Sequence, residues 1–165
     1  MVRSESWYDV MQVCLNGHKI TGALKARPEL GTQHCRDCGA VAISKCQNCN
    51  TDIRGYHHVP GIVDLTGGPE VPAFCHACGK PYPWTESRLK AAQELSQEVE
   101  GLSDSERETL RASLDDLVRD TPRTTVAATR FKRLAAKAGK GAADAFKNLL
   151  VDVLSETAKK VIWPS

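Results

Sequence analysis

The sequence predicts an α+β chain: a small metal-stapled N-terminal half with few short strands, followed by an all-helical C-terminal half. Three observations predict it. Seven cysteines form three Cys-x-x-Cys pairs and one Cys-x-x-x-His, all before residue 80. Gly and Pro crowd the same stretch, whereas Leu, Ala, Glu, Lys and Arg with helical periodicity fill the rest. Aromatic residues make up only 5% of the 165 residues, so the cysteine-rich half has no large aromatic core to hold it.

The four pairs are Cys14/His18, Cys35/Cys38, Cys46/Cys49 and Cys75/Cys78. Eight ligands make two tetrahedral zinc sites with no remainder, and the odd cysteine count argues against a disulfide framework. A Cys-x-x-Cys turn brings both thiolates to one ion while its amides donate to the sulfurs. The residue after the second cysteine needs a positive φ, which Gly39 and Gly79 supply and Asn50 tolerates. In the longer Cys14–His18 turn, Gly17 absorbs the bend. Sequential pairing places Cys14, His18, Cys35 and Cys38 on one ion and Cys46, Cys49, Cys75 and Cys78 on the other. Interleaved pairing joins the first pair to the third. The short link from Cys38 to Cys46, and the same order of knuckle, excursion and knuckle in each half, favour the sequential scheme. His34 and His76, next to ligand cysteines, are the residues that could replace one.

The module is expected to span 1–84, with a first unit over about 10–42 and a second over about 43–84; residues 85–165 form the helical region. Ala40-Val-Ala-Ile43 and Gly61-Ile-Val-Asp-Leu65 read as short strands. Four helices follow Pro81-Tyr-Pro-Trp-Thr85. The first runs from about Glu86 to Val99, with Leu89, Ala92, Leu95 and Val99 on one stripe. Ser103-Asp-Ser-Glu106 is a capping box opening the second, which turns Leu110, Leu114, Leu117 and Val118 inward. Thr121-Pro122 ends that run. The third spans about Thr124 to Ala138 and presents Ala127, Phe131, Leu134, Ala135 and Ala138. After Gly139 and Gly141, the last spans about Ala142 to Val161, with Phe146, Leu149, Leu150, Val153, Leu154 and Val161 on one face.

At its ligand residues the chain resembles double zinc ribbons, in which two rubredoxin-like knuckle pairs follow one another. The Asn16-Gly-His18 form of the opening knuckle is similar to many such ribbons, and the layout of Cys-x-x-x-His, three Cys-x-x-Cys pairs, then Arg54-Gly-Tyr56 and Pro81-Tyr-Pro-Trp84 resembles a bacterial zinc-ribbon family with no assigned activity. The resemblance covers residues 14–84 and implies structural zinc with a binding or adaptor role. The excursion from Asn50 to Phe74 is longer than a compact ribbon needs.

Other chemistry is sparse. The chain has no phosphate-cradling glycine loop and no Gly-x-Ser-x-Gly motif. Every thiol is assigned to metal, so an enzyme is not expected. A catalytic zinc would need an open position and would draw on His57, His58 or His76. Asp115-Asp116 reads as a solvated helix face. Partner contacts are expected from Arg54, Tyr56, His57 and His58 in the excursion, from Tyr82 and Trp84, and from Phe146, Leu150 and Leu154 on the last helix. The expected partner is another protein or a second copy.

Two alternatives stand beside the adaptor: nucleic-acid binding by the basic face at 130–140 (Arg130, Lys132, Arg133, Lys137, Lys140), and membrane-interface contact by the amphipathic last helix. Charge is uneven. Residues 86–120 carry five Lys/Arg against ten Asp/Glu, and residues 121–165 nine against three. That asymmetry favours internal or subunit pairing over a uniform nucleic-acid footprint. No apolar run is long enough to span a membrane, and the N-terminus Met1–Asp9 shows no secretion signal. Reduced, metal-bound thiols then point to the cytoplasm.

Overall fold

The computed structural model describes residues 5–164, so the N-terminal expectation for residues 1–4 lies outside the described residues. The chain divides into two compact units, Met1–Thr85 and Glu86–Ser165.

Among the described residues the first unit contains five short strands: β1 (Trp7–Val10), β2 (Gln12–Cys14), β3 (Lys19–Thr21), β4 (Ala42–Ile43) and β5 (Arg54–His58). They form two antiparallel sheets, a β1-β5 ribbon and a three-stranded sheet of order β3-β2-β4. In the ribbon Trp7 faces His58 and Tyr8 faces His57, and a register shift then brings Val10 opposite Arg54. Strands this short bury little: Val10, Met11, Val13 and Ile53 are the aliphatic core of the sheets. A buried carboxylate pins the turn beside them. Asp9 Oδ1 accepts from Val10 N (2.7 Å) and Lys25 N (2.8 Å), while Oδ2 accepts from Ala26 N (3.3 Å) and pairs with His58 Nε2 (2.8 Å). All four partners satisfy a group that would otherwise be costly to bury.

Three expectations for this unit are corrected. Of the strand expected at Ala40–Ile43, Ala42–Ile43 forms one, and Val41 is held by an isolated bridge to His34. Residues 61–65 are turn and coil because Gly61, Gly67 and Gly68 hold φ of 76°, 89° and 85°, and because Asp64 Oδ1 takes hydrogen bonds from Thr66 N and Oγ1. The Asn50–Phe74 excursion, longer than a compact ribbon needs, contains β5. That strand pairs with β1, which precedes the first knuckle, so strand pairing crosses the division between the two expected ribbons.

Among the described residues the helical unit has five helices rather than four: α1 (Pro83–Glu98), α2 (Asp104–Leu117), α3 (Thr124–Ala138), α4 (Lys140–Leu150) and α5 (Glu156–Ile162). α1 starts three residues early because Pro83, with its fixed φ and missing N–H, suits a first helical turn. The Ser103/Glu106 capping box is present in both directions. α3 has the expected bounds and ends at Gly139, whose φ is 107°. The expected last helix is two helices. Ser155 caps α5 by accepting from Ala158 N, and its own N–H reaches Leu117 O at the end of α2 (2.9 Å). The chain turns at 151–155, with Val153 and Leu154 buried.

The core of this unit is Leu110, Leu114, Leu117, Phe131, Leu134, Phe146 and Leu150, all almost fully enclosed. Phe131 and Phe146 meet edge to face with centroids 5.4 Å apart, a favoured aromatic geometry. Along α1, Ala92 and Val99 are buried as expected, but Leu89 and Leu95 are only half-buried and Ser96 takes an inner position.

Candidate metal centres

Each knuckle is built by the same backbone pattern. Cys35 N donates to Ala40 O and Gly39 N returns to Cys35 O; Cys46 N to Thr51 O and Asn50 N to Cys46 O; Cys75 N to Lys80 O and Gly79 N to Cys75 O. Isolated bridges His34–Val41, Lys45–Asp52 and Phe74–Pro81 close the base of each turn. The residue after the second cysteine holds φ of 74° (Gly39), 62° (Asn50) and 72° (Gly79), the conformation the sequence requires there. The opening knuckle is one residue longer, and Gly17 at φ 89° takes the bend while Cys14 N reaches His18 O.

These turns bring together Cys14, His18, Cys35 and Cys38 in one group and Cys46, Cys49, Cys75 and Cys78 in another. Within each group all ligand atoms lie within 4.8 Å of one another. Cys14 Sγ stands 3.5 Å from His18 Nδ1 and 3.7 Å from Cys38 Sγ, and Cys35 Sγ stands 3.6 Å from His18 Nδ1. In the second group Cys46–Cys78 and Cys49–Cys75 sulfurs are 3.8 and 3.7 Å apart. A tetrahedron with sulfur ~2.3 Å and nitrogen ~2.0–2.1 Å from its centre has S···S edges of about 3.8 Å and S···N edges of about 3.6 Å. The donor sets fit such an ion, and these separations are far beyond a disulfide bond of ~2.05 Å. The groups are those of the sequential scheme. His34 and His76 are exposed and belong to neither group, and His57 and His58 lie away from both in β5.

Amides surround the sulfurs. Asn16 Nδ2 lies 3.4 Å from Cys38 Sγ and His18 N lies 3.3 Å from Cys14 Sγ. The Ala40 N–H and the Asn16 amide hold the Cys38 thiol down at about 6. Burial works against Cys75, but the N–H groups of Cys78 and Ala77 outweigh it and bring that thiol to about 6 as well. Burial pushes the Cys14 and Cys46 thiols up. The turn amides thus favour the thiolate, the form that ligates metal.

Tyr82 and Trp84, expected on a recognition surface, are instead 1% and 2% exposed and back the two knuckle groups. Burial and the Cys75 sulfur hold the Tyr82 phenol well above its ordinary range. The Trp84 indole stacks on Tyr82 at 4.6 Å, donates Nε1–H to Pro72 O, and lies so close to Gly17 that a Cβ there would meet Trp84 Cβ at 3.0 Å. Sequence reasoning missed this role because an aromatic after a knuckle reads equally as surface or cover. Phe146, Leu150 and Leu154 are likewise corrected from partner contacts to core; each is at most 5% exposed, and Phe146 packs on Phe131 inside its own unit.

The remaining expected contacts are at the surface. Arg54 and His57 are exposed, and Tyr56 and His58 are half-buried. Of the basic 130–140 residues, Lys132 Nζ bonds to Val161 O and Lys137 Nζ pairs with Glu106 Oε1 at 2.6 Å, one tie between the acidic and basic segments. Among the described residues no helix is long and apolar enough to cross a membrane.

A family model described as "Uncharacterized protein conserved in bacteria (DUF2321)" matches residues 7–162. No curated protein and no solved structure matches the chain.

Proposed function

The chain belongs to this bacterial family, DUF2321, and we propose that it is a non-enzymatic adaptor built on two structural zinc sites. The observation that carries the reading is the pair of complete four-ligand groups at tetrahedral edge lengths. Four protein ligands leave no position for substrate or water, which is the mark of a structural site rather than a catalytic one. Zinc, when bound, would cross-link side chains as much as 32 residues apart in sequence, Cys46 and Cys78. The half of the chain with the least apolar core is the half that contains both groups. The protein's own residues then hold β5 and the 59–69 loop in a fixed place for a protein partner, while the helical unit closes its own core. Seven free thiols suit a reducing compartment, and the cytoplasm is proposed on that ground.

His18→Ala tests the ligand assignment. Bound-metal analysis should fall from two zinc ions per chain to one, with the Cys46/Cys49/Cys75/Cys78 site retained. A variant that keeps both ions and its thermal stability would remove His18 from the ligand set.

A further inference from the structure

The largest exposed apolar feature in the described residues is the tip of the 59–69 loop. Ile62, Val63 and Leu65 are 69%, 80% and 90% exposed, with Asp64 between them. Monomeric proteins scatter such residues singly; three on one turn mark a contact. The tip is braced rather than slack. Tyr56 is wedged between Gly22 and Gly68, where an added Cβ would come within 3.1 and 2.4 Å of its ring. Lys19 Nζ donates to Pro69 O at 3.0 Å and to Gly67 O at 3.5 Å. Thr66 N and Oγ1 hold Asp64 Oδ1, and no hydrogen bond to Asp64 Oδ2 is found among the described residues.

Across a groove of about 500 Å³ from this tip lies a platform of opposite character. Tyr8 and His57 stack across the β1-β5 ribbon at 4.4 Å, and the Arg54 guanidinium lies over the Tyr8 ring at 4.5 Å. Arg54 has no carboxylate partner among the described residues. Tip and platform are each incomplete. One offers aliphatic side chains around a carboxylate with a free oxygen; the other offers a Tyr8–His57 stack capped by a guanidinium that has no carboxylate partner among the described residues.

We infer that this surface joins two copies of the chain about a two-fold axis, each tip seated on the other's platform with Asp64 against Arg54. A surface carrying both halves of a complementary pair is what an isologous contact requires. The braced tip loses little freedom on docking. A polyanion or an anionic membrane is disfavoured, because residues 1–85 carry eight Lys/Arg against seven Asp/Glu. The inference shares with the adaptor reading only the claim that the loop is a contact surface, and zinc content measured on the same samples keeps the two separate.

Light scattering over a concentration series from micromolar upward decides it. The intact zinc-loaded chain should approach twice its 18.0 kDa mass. Arg54→Asp alone and Asp64→Arg alone each put like charges at both contacts and should run as monomers. Mixed in equal amounts they restore opposite charges at both contacts, and the dimer should return. Leu65→Ser, at a side chain 90% exposed, should weaken self-association about tenfold without changing zinc content. An intact chain that stays monomeric at every concentration would overturn the inference. So would dimers that persist in the single variants, or a mixture of properly folded variants that stays monomeric.

Discussion

Stripping both metals is expected to unfold the N-terminal unit and leave the helical unit folded. The first unit's strands are two to five residues long, and its sheets bury only a few aliphatic side chains. Structural zinc contributes roughly 10–16 kcal/mol per site in small peptides, as much as or more than the ~5–15 kcal/mol that holds an entire domain. The helical unit needs no ion: Leu110, Leu114, Leu117, Phe131, Phe146 and Leu150 enclose one another, and Ser103 and Ser155 cap their helices. With a strong chelator under reducing conditions, trypsin should cut rapidly at Lys19, Lys25, Arg36, Lys45 and Arg54, while helical circular dichroism falls little. Unchanged protection of those sites in metal-free protein would contradict the prediction.

The second large effect is expected at Asp9. Asp9→Asn keeps the shape but turns one acceptor oxygen into an N–H₂ group facing donors it cannot satisfy. Val10, Lys25 and Ala26 supply three backbone donors and His58 the fourth partner, so one or more of these contacts must break inside a site where the carboxylate is fully enclosed. Breaking charge-assisted bonds there should cost about 3 kcal/mol. Burial raises the Asp9 carboxyl, but the His58 bond and the three amides outweigh it and hold it below the ordinary 3.8. A group whose folded value is depressed contributes fully above its unfolded value and loses that contribution as pH falls through the folded one. The difference between parent and variant is therefore read in full at neutral pH and narrows only below about pH 3.8. Thermal unfolding of the zinc-loaded pair at pH 7 measures it. A loss well under 1 kcal/mol would mean that the pin is dispensable.

How much of this was readable from sequence depends on the range of each interaction. The ligand groups were legible because a metal imposes fixed local spacing, and because Gly39, Asn50 and Gly79 sit where a positive φ is required. α2 and α3 were legible for a similar reason, since Ser103, Glu106, Pro122 and Gly139 are local stop and start signals. The β1-β5 ribbon was not, because it pairs Trp7 with His58 across 51 residues and nothing in either segment names the other. The break before α5 had a signal that periodicity hid: Ser155-Glu156 is an N-terminus, but the apolar run Leu149–Leu154 continues through it. Tyr82 and Trp84 show the reverse limit. Their chemistry suits a recognition surface, and only the fold reveals that Gly17 and Cys75 already occupy them.

Eight side chains gather in two four-ligand groups, and zinc K-edge X-ray absorption on the intact chain reads whether each closes around an ion. Seven cysteine sulfurs and one histidine nitrogen shared between two ions predict an average first shell of about 3.5 sulfurs near 2.3 Å and about 0.5 nitrogen near 2.0–2.1 Å per zinc. An average of one or more oxygen or nitrogen neighbours per zinc would mean an open or differently ligated site, and is incompatible with two closed four-ligand groups.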